Sequence, residues 1–240
     1  MASEKANLTA KFVPYRLGAN TTILIGFRIA SHSGGLPAPL THVTVALPAS
    51  LGFAATTLGL ATCDVATLME RGPSGCPPDA EMGFGTAIVE VPFGPEILRE
   101  TGYVTTVMAP STGTQTKLLF YAEGRTPVSA SLVFPGELLS EDAGSPFGTL
   151  IETAVPLIPS LPGGPFVSVT RFETTFGPEH LTYIRYAHGK RVGYRPVGIA
   201  IPKRCPRDGF KFAATFSFAD GTDATATSIV QCPHSTRGLQ

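Results

Sequence analysis

Apolar and polar positions alternate in short runs that Gly and Pro interrupt about every ten residues, the pattern of many strands joined by turns. Residues 8–14 and 21–30 read as two strands split by Leu17-Gly-Ala-Asn, a hairpin-like start that follows a polar tail at 1–7. His42-Val-Thr-Val-Ala-Leu alternates and stops at Pro48, which cannot donate to a ladder, and residues 51–60 read as a continuation of the same sheet. Further runs of strand length lie at 83–91, 102–108, 117–122 and 128–134; in the first of these Ala87, Val89 and Val91 mark one face, Ile88 and Glu90 the other. Residues 135–148 read as an acidic loop. The Pro-rich run 156–165 excludes a central strand or helix and marks an internal boundary near 155–165, read as an extended crossover within one compact β-rich unit spanning 8–233. Another alternating strand follows at 166–176, and the chain closes with a tail at 234–240.

Two hairpins stand out. Tyr183-Ile-Arg-Tyr-Ala-His-Gly-Lys-Arg-Val-Gly-Tyr-Arg turns at His188-Gly189, and the run from Phe212 meets the run from Thr222 at Asp220-Gly221, read as a two-residue turn. In that register Phe212, Ala214, Phe216 and Phe218 share the core face, and Cys232 lies opposite Gly209. The one helix expected is short, near residues 64–71, with Asp64 as N-cap and Gly72 as its stop. The expected fold is therefore all-β, a β-sandwich or two packed sandwich-like sheets, with that single helix. Phe-Gly-Pro-Glu at 93–96 and again at 176–179 hints at two related layers.

Composition sharpens this. Hydrophobic residues make up 43% of 240, enough for a sizeable core, while charged residues are only 15% and Gly 26 and Pro 22 crowd the turns. Net charge is zero, which gives no reason to expect nucleic acid as a partner, and no apolar run reaches the roughly 18 residues of a membrane helix. Charge is nonetheless uneven along the chain. Residues 64–152 are strongly acidic, whereas 185–207 hold Arg185, Lys190, Arg191, Arg195, Lys203, Arg204 and Arg207 with no acid.

The four cysteines fall in two local pairs, Cys63 with Cys76 and Cys205 with Cys232. Their even count makes two structural disulfides and an oxidising milieu the simplest inference; closing loops of this length stabilises by about 3–4 kcal/mol each. Free buried thiols remain an alternative, and so does zinc, which would want far tighter spacing. The amino-terminal residues carry no hydrophobic segment of a signal peptide; we read them as the start of a mature exported chain given an initiating methionine, the alternative being a cytosolic protein whose cysteines stay reduced.

Chemistry-bearing motifs are sparse. There is no Gly-x-Ser-x-Gly, the five histidines (32, 42, 180, 188 and 234) have no metal-ligand spacing, and Gly83-Phe-Gly precedes a strand rather than a helix, so it cradles no phosphate. Glu70, Asp79, Glu81, Glu90 and Glu96 supply carboxylates from which a hydrolase would need the fold to select a pair. No catalytic, cofactor or metal residue is assigned, and no cofactor is expected. The candidate partner-binding residues are Tyr183, Arg185, Tyr186, His188, Lys190, Arg191, Tyr194 and Arg195, an interleaved aromatic and basic hairpin suited to an anionic surface, a glycan, a protein or another copy of the chain.

Finally, Arg16-Leu-Gly-Ala-Asn-Thr-Thr, Leu60-Ala-Thr-Cys with Gly75-Cys-Pro-Pro, Gly83-Phe-Gly-Thr-Ala, and the run from Cys205-Pro-Arg-Asp-Gly-Phe to Cys232-Pro together resemble a family of secreted, uncharacterised β-rich proteins of actinobacteria. The resemblance spans most of residues 8–233 and implies export and two disulfides, with no activity to carry over. The expectation from sequence is an extracellular or cell-surface structural or binding protein acting by surface contact; the alternative is a secreted hydrolase on a β scaffold.

Overall fold

The computed structural model describes residues 4–52, 57–111, 116–124, 130–142 and 144–233. In chain order the strands are β1 (Lys5–Val13), β2 (Asn20–Ala30), β3 (Leu40–Pro48), β4 (Glu81–Phe93), β5 (Glu96–Met108), β6 (Thr116–Gly124), β7 (Ala130–Ser140), β8 (Phe147–Ala154), β9 (Ser168–Phe176), β10 (Tyr183–Ala187), β11 (Lys190–Tyr194), β12 (Ile199–Ala200), β13 (Phe210–Phe218) and β14 (Asp223–Val230), with one helix, α1 (Val65–Arg71). The protein is all-β with one short helix, as its alternation implies. The packed layers are opposite walls of one sheet: twelve strands form a single antiparallel sheet in the order β1-β2-β9-β4-β5-β6-β7-β8-β3-β13-β14, with β12 paired to the start of β2, and β10-β11 stand apart as a two-stranded ribbon.

Curling brings the two edge strands, β1 and β14, side by side and nearly closes a barrel. Aromatic rings fill this seam. Phe12 lies 5.2 Å from Phe210 and 5.9 Å from Phe212, and the Tyr15 hydroxyl donates to the Gln231 carbonyl at 2.7 Å. Inward positions are mostly apolar, as in Ile23, Ile25, Phe27 and Ile29 of β2 and Phe210, Phe212, Ala214, Phe216 and Phe218 of β13, all buried, with Glu100, Thr106, Thr153 and Thr174 as buried polar exceptions on β5, β8 and β9. Outward positions of the same strands carry Arg28 and Lys211, and the neighbouring ones Lys11, Glu90 and Glu173. This is the reverse of the alternation in a barrel whose outer wall faces lipid. No helix among the described residues is long and apolar enough to cross a membrane.

Two connections cross one mouth of the barrel, 31–39 from β2 to β3 and 155–167 from β8 to β9, because β9 inserts between β2 and β4 and β3 between β8 and β13. The Ser168 hydroxyl ties them by donating to the Pro37 carbonyl at 2.6 Å. The Pro-rich run thus connects two strands of the same sheet, β8 and β9. Residues 177–209 cover the opposite mouth, with Leu181, Tyr183, Ile199 and Ile201 fully buried there. Both local disulfides form, Cys63–Cys76 and Cys205–Cys232, with no free cysteine. Asp64 caps α1 by accepting from the Thr67 amide at 2.8 Å, and the Cys63–Cys76 loop lays Leu68 onto Val107 and Leu119 of the outer wall.

Four local expectations are corrected. The tail is shorter than 1–7: β1 begins at Lys5 because the long β2 still offers rungs at Ala30 and Ile29, opposite which Ala6 packs inward. Residues 51–60 are not a strand where described, since after Pro48 the chain leaves the sheet and only Gly52 forms a bridge, to Ala200. The acidic loop at 135–148 is mostly strand: Pro135 lies within β7, where the ladder to β8 starts only at Gly136, so its missing N–H removes no rung on that side. The last hairpin has a three-residue turn. Its register, Phe216 opposite Ala224, places Cys232 across from Asp208 rather than Gly209. A positive φ of 80° at Gly221 and Asp220 accepting from the Thr222 amide at 3.0 Å favour the longer turn. The repeated Phe-Gly-Pro-Glu falls in unlike settings, an exposed hairpin tip at Phe93 and the buried end of β9 at Phe176.

Candidate functional site

The basic hairpin forms as expected. His188 and Gly189 have φ of 51° and 75°, positive at both turn positions as a type I′ turn needs, and Tyr186 pairs with Arg191 and Ala187 with Lys190. Arg185, Tyr186, His188, Lys190, Arg191 and Arg195 are exposed, Tyr186 at 75%. No carboxylate among the described residues lies within ion-pair distance of its cations. Tyr194 is half-buried with the Arg185 guanidinium 5.4 Å from its ring centre.

Tyr183 does not belong to this surface. It is fully buried at the foot of the ribbon, edge-on to Tyr194 at 5.9 Å; its hydroxyl donates to the Glu81 carbonyl and accepts from the Gly59 amide at 3.0 Å. Alternation alone says which residues share a face, not that the foot of a ribbon meets the core. Burial, assisted by the Asp79 and Glu81 charges, pushes this phenol from 10.0 to about 12. The folded state therefore resists ionisation that the unfolded chain undergoes freely near pH 10. Stability is expected to be complete below pH 10 and to fall by on the order of 2–3 kcal/mol between pH 10 and 12. Urea unfolding across that range checks this, and Tyr183→Phe should flatten the fall.

The second feature, which alternation along the strands does not reveal, is a cavity of about 140 Å³ inside the barrel. Phe27, Val43 and Ile151 form one wall, Ala87, Val104, Phe120 and Ala122 the other, and Pro156, Ile158 and Val167 of the crossover sit at its mouth. Small residues sit among larger ones on that second wall: Ala87 and Ala122 stand beside Val104, Phe120 and Phe134, across from Phe27, Val43 and Ile151. Counting the volume of inward residues strand by strand was the signal available for it. The lining is apolar except for two threonines, Thr153 and Thr174.

Neither acid nor histidine lines this cavity. The candidate carboxylates are dispersed: Glu90 pairs with Arg99 at 3.1 Å on the outer wall, Asp79 accepts from the Ile184 amide at 3.1 Å, Glu70 lies on α1 and Glu96 starts β5. Only Asp79 and Glu81 come together, both beside Tyr183, and burial raises the Glu81 carboxyl. Among the described residues no three His, Cys, Asp or Glu gather as metal ligands; His234 lies outside them. Comparison with protein-family models, curated proteins and solved structures finds no match to the chain.

Proposed function

We propose that this is a non-catalytic binding protein of an extracellular or cell-surface compartment that holds a small apolar molecule inside its barrel. The observation that carries the reading is the 140 Å³ cavity, walled by aliphatic and aromatic side chains and reached past the crossover. A void of about 150 Å³ with such walls stays dry and takes up benzene, so the fitting ligand is about one substituted six-membered ring. An unfilled void of this size costs stability that a ligand restores. The two disulfides support an oxidising compartment, as does the resemblance to exported β-rich proteins.

The exposed cations and Tyr186 of the ribbon support a second mode, contact with an anionic partner, whether surface, glycan, protein or the acidic region of another copy, which would weaken as salt is raised.

The test is thermal unfolding with increasing p-xylene. The midpoint should rise with ligand in the parent protein, as binding to the folded state alone requires. Ala122→Phe places a ring in the void and should lower p-xylene affinity by more than about tenfold while the protein stays folded. An unchanged ligand response in Ala122→Phe, or no response of the parent to either p-xylene or its hydroxyl analogue p-cresol, would sink the reading.

A further inference from the structure

Thr153 is buried on β8 with 9% of its surface exposed, and its side chain lines the cavity. Its neighbours along the inward face are Ile151 and Val155, and across the sheet Val43 on one side and Gly136 on the other. Gly136 makes room for the hydroxyl: a Cβ there would stand 3.1 Å from Thr153 Oγ1 and 2.6 Å from the Phe120 ring.

The two threonines of the lining differ. The Thr174 hydroxyl donates to the Phe84 carbonyl at 3.3 Å. Thr153 Oγ1 has no hydrogen-bond partner among the described residues. A hydroxyl left without a protein partner is satisfied only by what occupies the space beside it, and valine would fill the same volume without that need. Thr153 Oγ1 is not among the fully enclosed unpartnered oxygens of the described residues, and its side chain lines a void of ligand size, so the space open to a partner is that void.

Resting on the barrel-interior reading above, we infer that Thr153 selects the ligand class: a small ring compound carrying one hydroxyl or carbonyl oxygen, rather than a pure hydrocarbon. The apolar walls hold the ring, and Thr153 pairs the single polar atom. A site built around such a pairing penalises the analogue that lacks it, because its own polar group is then left unmet.

The test is a cycle over two isosteric exchanges, p-cresol against p-xylene in the ligand and Thr153→Val in the protein, with dissociation constants from calorimetry. Differences in ligand hydration cancel, since the same two ligands meet both proteins. Thr153→Val is expected to weaken p-cresol about five- to tenfold relative to p-xylene. Thr153→Ser and Thr153→Ala repeat the comparison one carbon shorter, with the serine keeping the preference and the alanine losing it, so the test stands even where valine is not tolerated. If both ligands bind and every variant shifts them equally, the role of Thr153 is overturned while the cavity reading survives. If neither ligand binds the parent protein, both fall.

Discussion

Phe216→Ala is expected to cost about 3–5 kcal/mol, toward the upper end, and to be among the most damaging single substitutions in the molecule. The ring is fully buried, and it meets Phe27 edge-on at 4.9 Å. Phe27 in turn stacks on Phe172 at 5.3 Å, so Phe216 backs two residues of the cavity wall. Truncation leaves a void that the backbone cannot close, because β13 is fixed on both sides by ladders to β3 and β14. The measurement is the urea midpoint at constant m-value, with Phe93→Ala as control. Phe93 stands 49% exposed at the β4–β5 tip, where a surface change stays within about 0.5 kcal/mol. A loss at Phe216 below about 1 kcal/mol would mean that its surroundings relax, and that the inner wall is not rigid enough to keep a preformed site.

What the sequence carried well was local. The period-two run from Phe212 to Phe218 placed its rings inside, Asp64 and Gly72 bounded the helix, and each cysteine found its near neighbour. What it did not carry was strand order. Nothing in 168–176 says that it pairs with 23–28 on one side and with 85–90 on the other, because every strand here offers the same alternation to any neighbour. The closed shape follows from that order and was out of reach with it. The cavity was hidden for a related reason. Ala87 and Ala122 are ordinary residues in isolation, and they border a void only when β4 and β6 stand opposite the side chains of β2, β3 and β8. Thr153 shows the limit most sharply: in an alternating strand it reads as one more β-branched residue, and its unpartnered hydroxyl has meaning only beside that void.

Removing the second disulfide, by Cys205→Ala with Cys232→Ala, is expected to cost about 3–4 kcal/mol and to loosen one place in particular. The bridge follows the last rung of β14 and precedes the first of β13, and β14 is the edge strand that meets β1. That meeting is not secured by a ladder among the described residues. It rests on Phe12 against Phe210 and Phe212, and on Tyr15 reaching the Gln231 carbonyl next to Cys232. Without the bridge the end of β14 is tethered only by its rungs to β13, and fraying there unseats the Tyr15 contact first. Amide hydrogen exchange should therefore speed up over β1 and β14 well before β5 and β6 respond. The first disulfide makes the contrast. Cys63→Ala with Cys76→Ala opens a shorter loop, worth about 3 kcal/mol, and frees α1 from the outer wall over Val107 and Leu119 while leaving the seam shut. Equal exchange across all strands in both double variants would show that the barrel opens as one unit, with the seam no weaker than the ladders.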